Sequence, residues 1–70
     1  MHTDLVVIGL GYVGLPVAQG AARAGLSVVG LDISQYLVDS LNRGHSHVDD
    51  VSDGDLAEMS ALGFVATTDT

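Results

Sequence analysis

The sequence predicts an α/β fold built on a parallel three-stranded sheet, and three observations lead there. Two apolar runs, Leu5-Val6-Val7-Ile8 and Ser27-Val28-Val29-Gly30-Leu31, are continuous rather than alternating, as in strands buried on both faces of a parallel sheet. A helical pattern lies between them, so strand, helix and strand fit within about 30 residues, the size of one βαβ unit. The first strand meets its helix at a turn with three glycines, Gly9, Gly11 and Gly14, a spacing that suits a sharp strand-to-helix connection.

Taken in order, the first strand is expected in the middle of the sheet and ends at Gly9. The first helix is expected from Tyr12 or Val13 to about Ala24, with Val13, Val17, Ala21 and Ala24 recurring at helical spacing as its buried stripe. Gly25 stops it. Pro16 sits within the first turns, where its missing N–H has no intrahelical partner to lose. The second strand ends at Asp32. Ser34 caps a second helix from Gln35 to Asn42, whose buried stripe is read as Tyr36, Leu37, Leu41 and Val38, and Gly44 ends it. Residues 45–51 read as a polar loop. Ser52 and Asp55 form a capping-box pattern, with acids suited to the positive end of a helix dipole. A third, short helix runs to about Leu62 and is ended by Gly63. Phe64-Val65-Ala66-Thr67 is a short third strand.

The glycine turn carries the chemistry. Gly-x-Gly-x-x-Gly after a buried strand and at the start of a helix lets backbone N–H groups and the helix dipole face a pyrophosphate. An acid about 20 residues further on, at the end of the second strand, binds the adenosine ribose in such sites, and Asp32 lies 18 residues beyond Gly14. The fold is therefore read as a Rossmann-like βαβ unit, a truncated half of a dinucleotide-binding domain. Its cofactor-binding residues are Gly9, Gly11, Tyr12, Val13, Gly14 and Asp32. A 2′-phosphate would meet the Asp32 carboxylate as a like charge. Neither Ile33 nor Ser34 supplies a cation, so NAD is favoured over NADP.

Composition narrows the remaining classes. Two basic residues stand against nine acidic ones, for a net charge of −7, which argues against nucleic acid and anionic membrane surfaces as partners. There are no cysteines, hence no disulfide and no thiolate metal site. The start of the chain, Met1-His2-Thr3-Asp4, lacks the basic flank of a secretory signal, and a cytoplasmic location follows as the default. Seventy residues are few for an α/β core. The chain is accordingly expected to be the N-terminal part of a longer protein, and marginally stable or self-associating when alone, because without a fourth strand the edge of 5–8 is open to pairing.

Other clusters read as bland. Asp49, Asp50, Asp53, Asp55 and Glu58 suit a solvated loop and helix start. His45, His47, Asp49 and Asp50 are assigned to solvent rather than to a metal, and residues 49–60 fail the calcium-loop pattern at Val51 and Ser60. His2 is placed at a frayed terminus. Tyr12 is read as covering the pyrophosphate or packing in the turn, with no acid–base role, and no serine has a nucleophile elbow. No residue is assigned as catalytic or as a metal ligand.

The run Gly9-Leu10-Gly11-Tyr12-Val13-Gly14-Leu15-Pro16 resembles the opening signature of the UDP-glucose/GDP-mannose dehydrogenase family. Val29 to Ile33, Val38 to Gly44 and Phe64 to Asp69 are similar to that family's next segments in the same order. The resemblance covers essentially this whole chain and the first sixth or so of a typical member. It implies an NAD-dependent enzyme of polysaccharide biosynthesis that oxidises a nucleotide sugar at C6 to a uronic acid, as a homo-oligomer at full length. It also implies a catalytic cysteine that forms a thioester, assisting Lys, Asn and Asp residues, and a C-terminal domain for the UDP group. This chain has no Cys and no Lys, so the fragment is expected to be inactive by itself, with the sugar held by absent domains. A second departure is that Gln35-Tyr36-Leu37 offers no cation where members often carry Lys or Arg near the adenosine end. Two alternatives stay open: a stand-alone, non-catalytic NAD-binding module, and the start of another NAD-dependent dehydrogenase such as a β-hydroxyacid dehydrogenase.

Overall fold

The computed structural model describes residues 3–69, so His2 lies outside the described residues. The elements follow in the order β1 (Leu5–Ile8), α1 (Gly14–Arg23), β2 (Val28–Leu31), α2 (Gln35–Asn42), α3 (Asp53–Ala61) and β3 (Val65–Thr67). The three strands form one parallel sheet, as predicted, and their order in it is β1-β2-β3. Leu5 pairs with Val28 and Ile8 with Leu31, while Val29 pairs with Val65 and Leu31 with Thr67.

This register puts Val7, Val28, Gly30 and Ala66 on one face of the sheet, and all four are buried. The helices pack there: α1 lies against β1 and β2, α2 against β3, and α3 against α1. The opposite face carries Val6, Ile8 and Val65, all exposed, with Ile8 at 81%. Within the described residues β1 is therefore an edge strand with one open face, the arrangement expected in the absence of a fourth strand. It is not the mid-sheet strand buried on both faces that its apolar run suits. Among the described residues β1 pairs with β2 alone, and no element covers its second face. The outer edge of β3 is closed differently. The Asn42 carboxamide donates to the Ala66 carbonyl at 2.9 Å and accepts from the Ala66 N–H at 3.2 Å, taking the bonds that a further strand would use.

Helix boundaries follow local chemistry. Gly25, Gly44 and Gly63, with φ of +90°, +89° and +99°, end the three helices in the left-handed conformation that glycine adopts without a Cβ penalty. After each of them the next N–H reaches back to an earlier carbonyl: Leu26 to Ala21, His45 to Ser40 and Phe64 to Met59. The Ser34 hydroxyl accepts from the Leu37 N–H, and Ser52 with Asp55 completes the expected capping box.

Three readings need correction. Helix α1 starts at Gly14 rather than at Tyr12 or Val13, and its buried residues are Leu15, Ala18 and Ala22. Val13 and Val17 are exposed and Ala21 is half-buried, while Ala24 caps the end. Small apolar residues surround this helix, so periodicity alone allowed two stripes. Tyr36 is 83% exposed, and Val38 and Leu41 supply the buried contacts of α2. The loop 45–51 is not wholly polar, because Val48 and Val51 are both in the core. Each is an isolated apolar residue among charges, without a periodic neighbour to reveal it.

Candidate dinucleotide site

The site lies where the strands end at their carboxyl side and the glycine turn begins, the place where open α/β sheets bind ligands. Gly9 has φ of +87°, a conformation that favours glycine, and its N–H is held by the Leu31 carbonyl at 2.8 Å. Gly14 answers a packing need. A Cβ there would stand 1.7 Å from the Gly9 carbonyl oxygen and 2.9 Å from the Gly9 carbonyl carbon, so α1 approaches the turn as closely as backbone allows. Gly11 is different, since a Cβ there would meet nothing within 4 Å and its φ is not positive. The space into which a side chain at Gly11 would point is open, as it is at Gly9.

The first turn of α1 supports the same reading. Serines cap α2 and α3, but α1 has Val13 at its N-cap position, with no side-chain hydrogen bond and no acid in its first turn. The positive end of its dipole is not matched from within the helix, and an anion there is favoured. Tyr12 is 70% exposed, so of the two placements considered it is not the one packed in the turn.

Asp32 stands directly after β2, across from the turn. Its Oδ2 accepts from the Leu10 N–H at 3.0 Å and its Oδ1 from the Ser34 N–H at 3.0 Å. The Leu10 bond is the main cause that holds the carboxyl below the ordinary aspartate range, followed by the Ser34 bond; partial burial opposes them, and the charge of His47 adds a smaller pull. The carboxylate therefore stays ionised at neutral pH, and each oxygen keeps accepting capacity beyond these two bonds.

A groove of about 380 Å³ runs beside this aspartate, lined by Ile8, Gly9, Leu31, Asp32, Ile33 and Thr68. Two grooves of similar volume flank α2, so the chemistry of the lining, rather than size, selects the first. Sequence reasoning missed Ile8, Leu31, Ile33 and Thr68. Their common signal is position, each lying at or just beyond the carboxyl end of a strand. Neither arginine enters this groove. Arg23 pairs with Glu58 at 2.7 Å and Asp55 at 3.3 Å, and Arg43 lines a groove of α2 with Tyr36 and His45. The six predicted residues thus divide. Gly9, Gly11, Gly14 and Asp32 meet around the turn, whereas the Tyr12 and Val13 side chains point to solvent and have only their backbone to offer.

The sequence profile of the UDP-glucose/GDP-mannose dehydrogenase family, NAD binding domain, matches residues 3–70. A UDP-N-acetyl-D-mannosamine dehydrogenase of Salmonella typhi is 42% identical over 69 residues, which cover 97% of this chain and 16% of that protein. The structure of UDP-D-ManNAc dehydrogenase from Pyrococcus horikoshii superposes with a TM-score of 0.83 at 38% identity, over 91% of this chain and 16% of the other. A GDP-mannose dehydrogenase from Pseudomonas aeruginosa, solved as a ternary complex, gives 0.81 at 33% identity, over 91% and 15%. The chain therefore spans about one sixth of the length of the relatives it matches.

Proposed function

We propose, from the fact that this chain belongs to the UDP-glucose/GDP-mannose dehydrogenase family and matches its NAD binding domain, that it is the NAD-binding portion of a nucleotide-sugar 6-dehydrogenase. The full enzyme oxidises the sugar C6 alcohol to a uronic acid. Bound NAD supplies the hydride acceptor. Gly9 and Gly11 admit the pyrophosphate, the N–H groups of Tyr12 and Val13 and the α1 dipole hold it, and Gly14 brings the helix close enough for this. Asp32 accepts from the ribose hydroxyls and repels a 2′-phosphate. The single observation that carries the reading is the family match over residues 3–70, and the glycine turn with Asp32 across it is the geometry that fits NAD.

The sugar site and the thioester chemistry belong to segments outside these 70 residues, since the chain has neither Cys nor Lys. The same reading makes the enzyme a cytoplasmic homo-oligomer that supplies uronic acids for polysaccharides. Among the described residues no helix is long and apolar enough to cross a membrane. Family membership sets aside the β-hydroxyacid dehydrogenase alternative.

Calorimetric titration of the protein with NAD and with NADP tests the proposal. NAD is expected to bind the more tightly. Equal or tighter binding of NADP would refute the role given to Asp32, and no binding of either would refute the proposal itself.

A further inference from the structure

We propose that Asp32 is a positioning residue for the glycine turn as well as a ribose acceptor, its carboxylate tying Leu10 to the start of α2 so that the phosphate cradle stands formed before a cofactor arrives. The inference rests on the NAD reading for its purpose, but its geometry belongs to the ligand-free chain.

Leu10 sits between the two glycines that shape the turn. Its side chain is fully buried, directly beneath Gly30, where a Cβ would come within 2.7 Å of Leu10 Cδ2 and 3.0 Å of Phe64 Cε1. The side chain is therefore held from below by packing, and the backbone N–H from the side by Asp32 Oδ2 at 3.0 Å. The other oxygen holds the Ser34 N–H, and the Ser34 hydroxyl in turn accepts from Leu37 N–H at 3.2 Å. One carboxylate thus joins the glycine turn at Leu10 to the start of α2 at Ser34, 24 residues further on. Hydrogen bonds to an ionised acceptor are stronger than neutral ones. An ionised carboxylate has about four lone-pair sites, so two backbone bonds leave room for ribose hydroxyls and the two roles do not compete.

Backbone amide exchange of the ligand-free protein, followed residue by residue, reads the tie directly. In Asp32→Ala the Leu10 and Ser34 amides are expected to exchange about tenfold faster, as the loss of a hydrogen bond of ordinary net strength implies. The β1–β2 ladder amides, such as that of Gly9 to Leu31, should keep their protection. Inorganic pyrophosphate, which has no ribose, is expected to bind this variant more weakly than the parent. Unchanged exchange at Leu10 together with unchanged pyrophosphate binding, even if NAD affinity falls, would overturn the positioning role and leave the NAD reading intact. Failure of the parent to bind NAD would strike the NAD reading alone, because exchange at Leu10 still decides the tie. If Asp32→Ala does not fold, Asp32→Asn decides. Its single carbonyl oxygen serves one of the two amides, so faster exchange at one of Leu10 and Ser34 supports the proposal, and parental protection at both overturns it.

Discussion

At Gly14 an added methyl group would stand 1.7 Å from a backbone oxygen, whereas at Gly11, three residues earlier in the same turn, it would meet no atom within 4 Å. The turn therefore has a side that faces the fold and a side that faces solvent. On the first, Gly14 lies against Gly9, Leu10 is packed under Gly30, and Gly9 N–H is tied to β2. On the second, a side chain at Gly11 would point into open space, and the start of α1 has no side-chain cap. Glycine at one position is explained by packing, and at the other neither packing nor a positive φ requires it.

The largest effect is expected on the packed side. Gly14→Ala forces the start of α1 away from the turn, and because the clash is with backbone rather than a movable side chain, the cost is about 3 kcal/mol or more. In a chain this small that amounts to loss of the cooperative denaturant transition. A variant with the parental midpoint would show that the close approach is dispensable. Gly30→Ala is expected to cost less, about 1–3 kcal/mol, because the Leu10 and Phe64 side-chain ends that a methyl would meet are able to shift. Chemical denaturation measures it, and a cost equal to that of Gly14→Ala would erase the distinction between backbone and side-chain contacts.

The two sides also differ in how far the sequence reveals them. The C-terminal ends of the three helices and the starts of α2 and α3 were legible because each depends on one residue: glycine where φ must be positive, serine where an N–H needs an acceptor. The glycine turn and Asp32 were legible because their spacing is set by one βαβ unit. The face of α1 was not, since Leu15, Ala18 and Ala22 compete with Val13, Val17 and Ala21 at equal helical spacing and the helix has no charge before Arg23 to mark an outer side. The bare second face of β1 was hidden because a continuous apolar run describes a strand that needs cover without saying whether cover is present. The Asp32–Leu10 bond was hidden for another reason. It joins residues 22 apart, and no local pattern encodes a contact made only when two strands lie side by side. The groove residues Ile8, Ile33 and Thr68 are brought together by the sheet register in the same way.

The smallest effect on stability, and the most direct test, belongs to Gly11. Its φ is not positive and its surroundings are open, so Gly11→Ala is expected to leave stability within about 1 kcal/mol of the parent. The decisive measurement is calorimetric titration of NAD into folded Gly11→Ala beside the parent protein. If this side of the turn exists to receive a pyrophosphate on bare backbone, affinity falls by about tenfold or more, the equivalent of one lost contact of ordinary strength, while the unfolding midpoint holds. Parental affinity in a variant that keeps its fold would contradict the account.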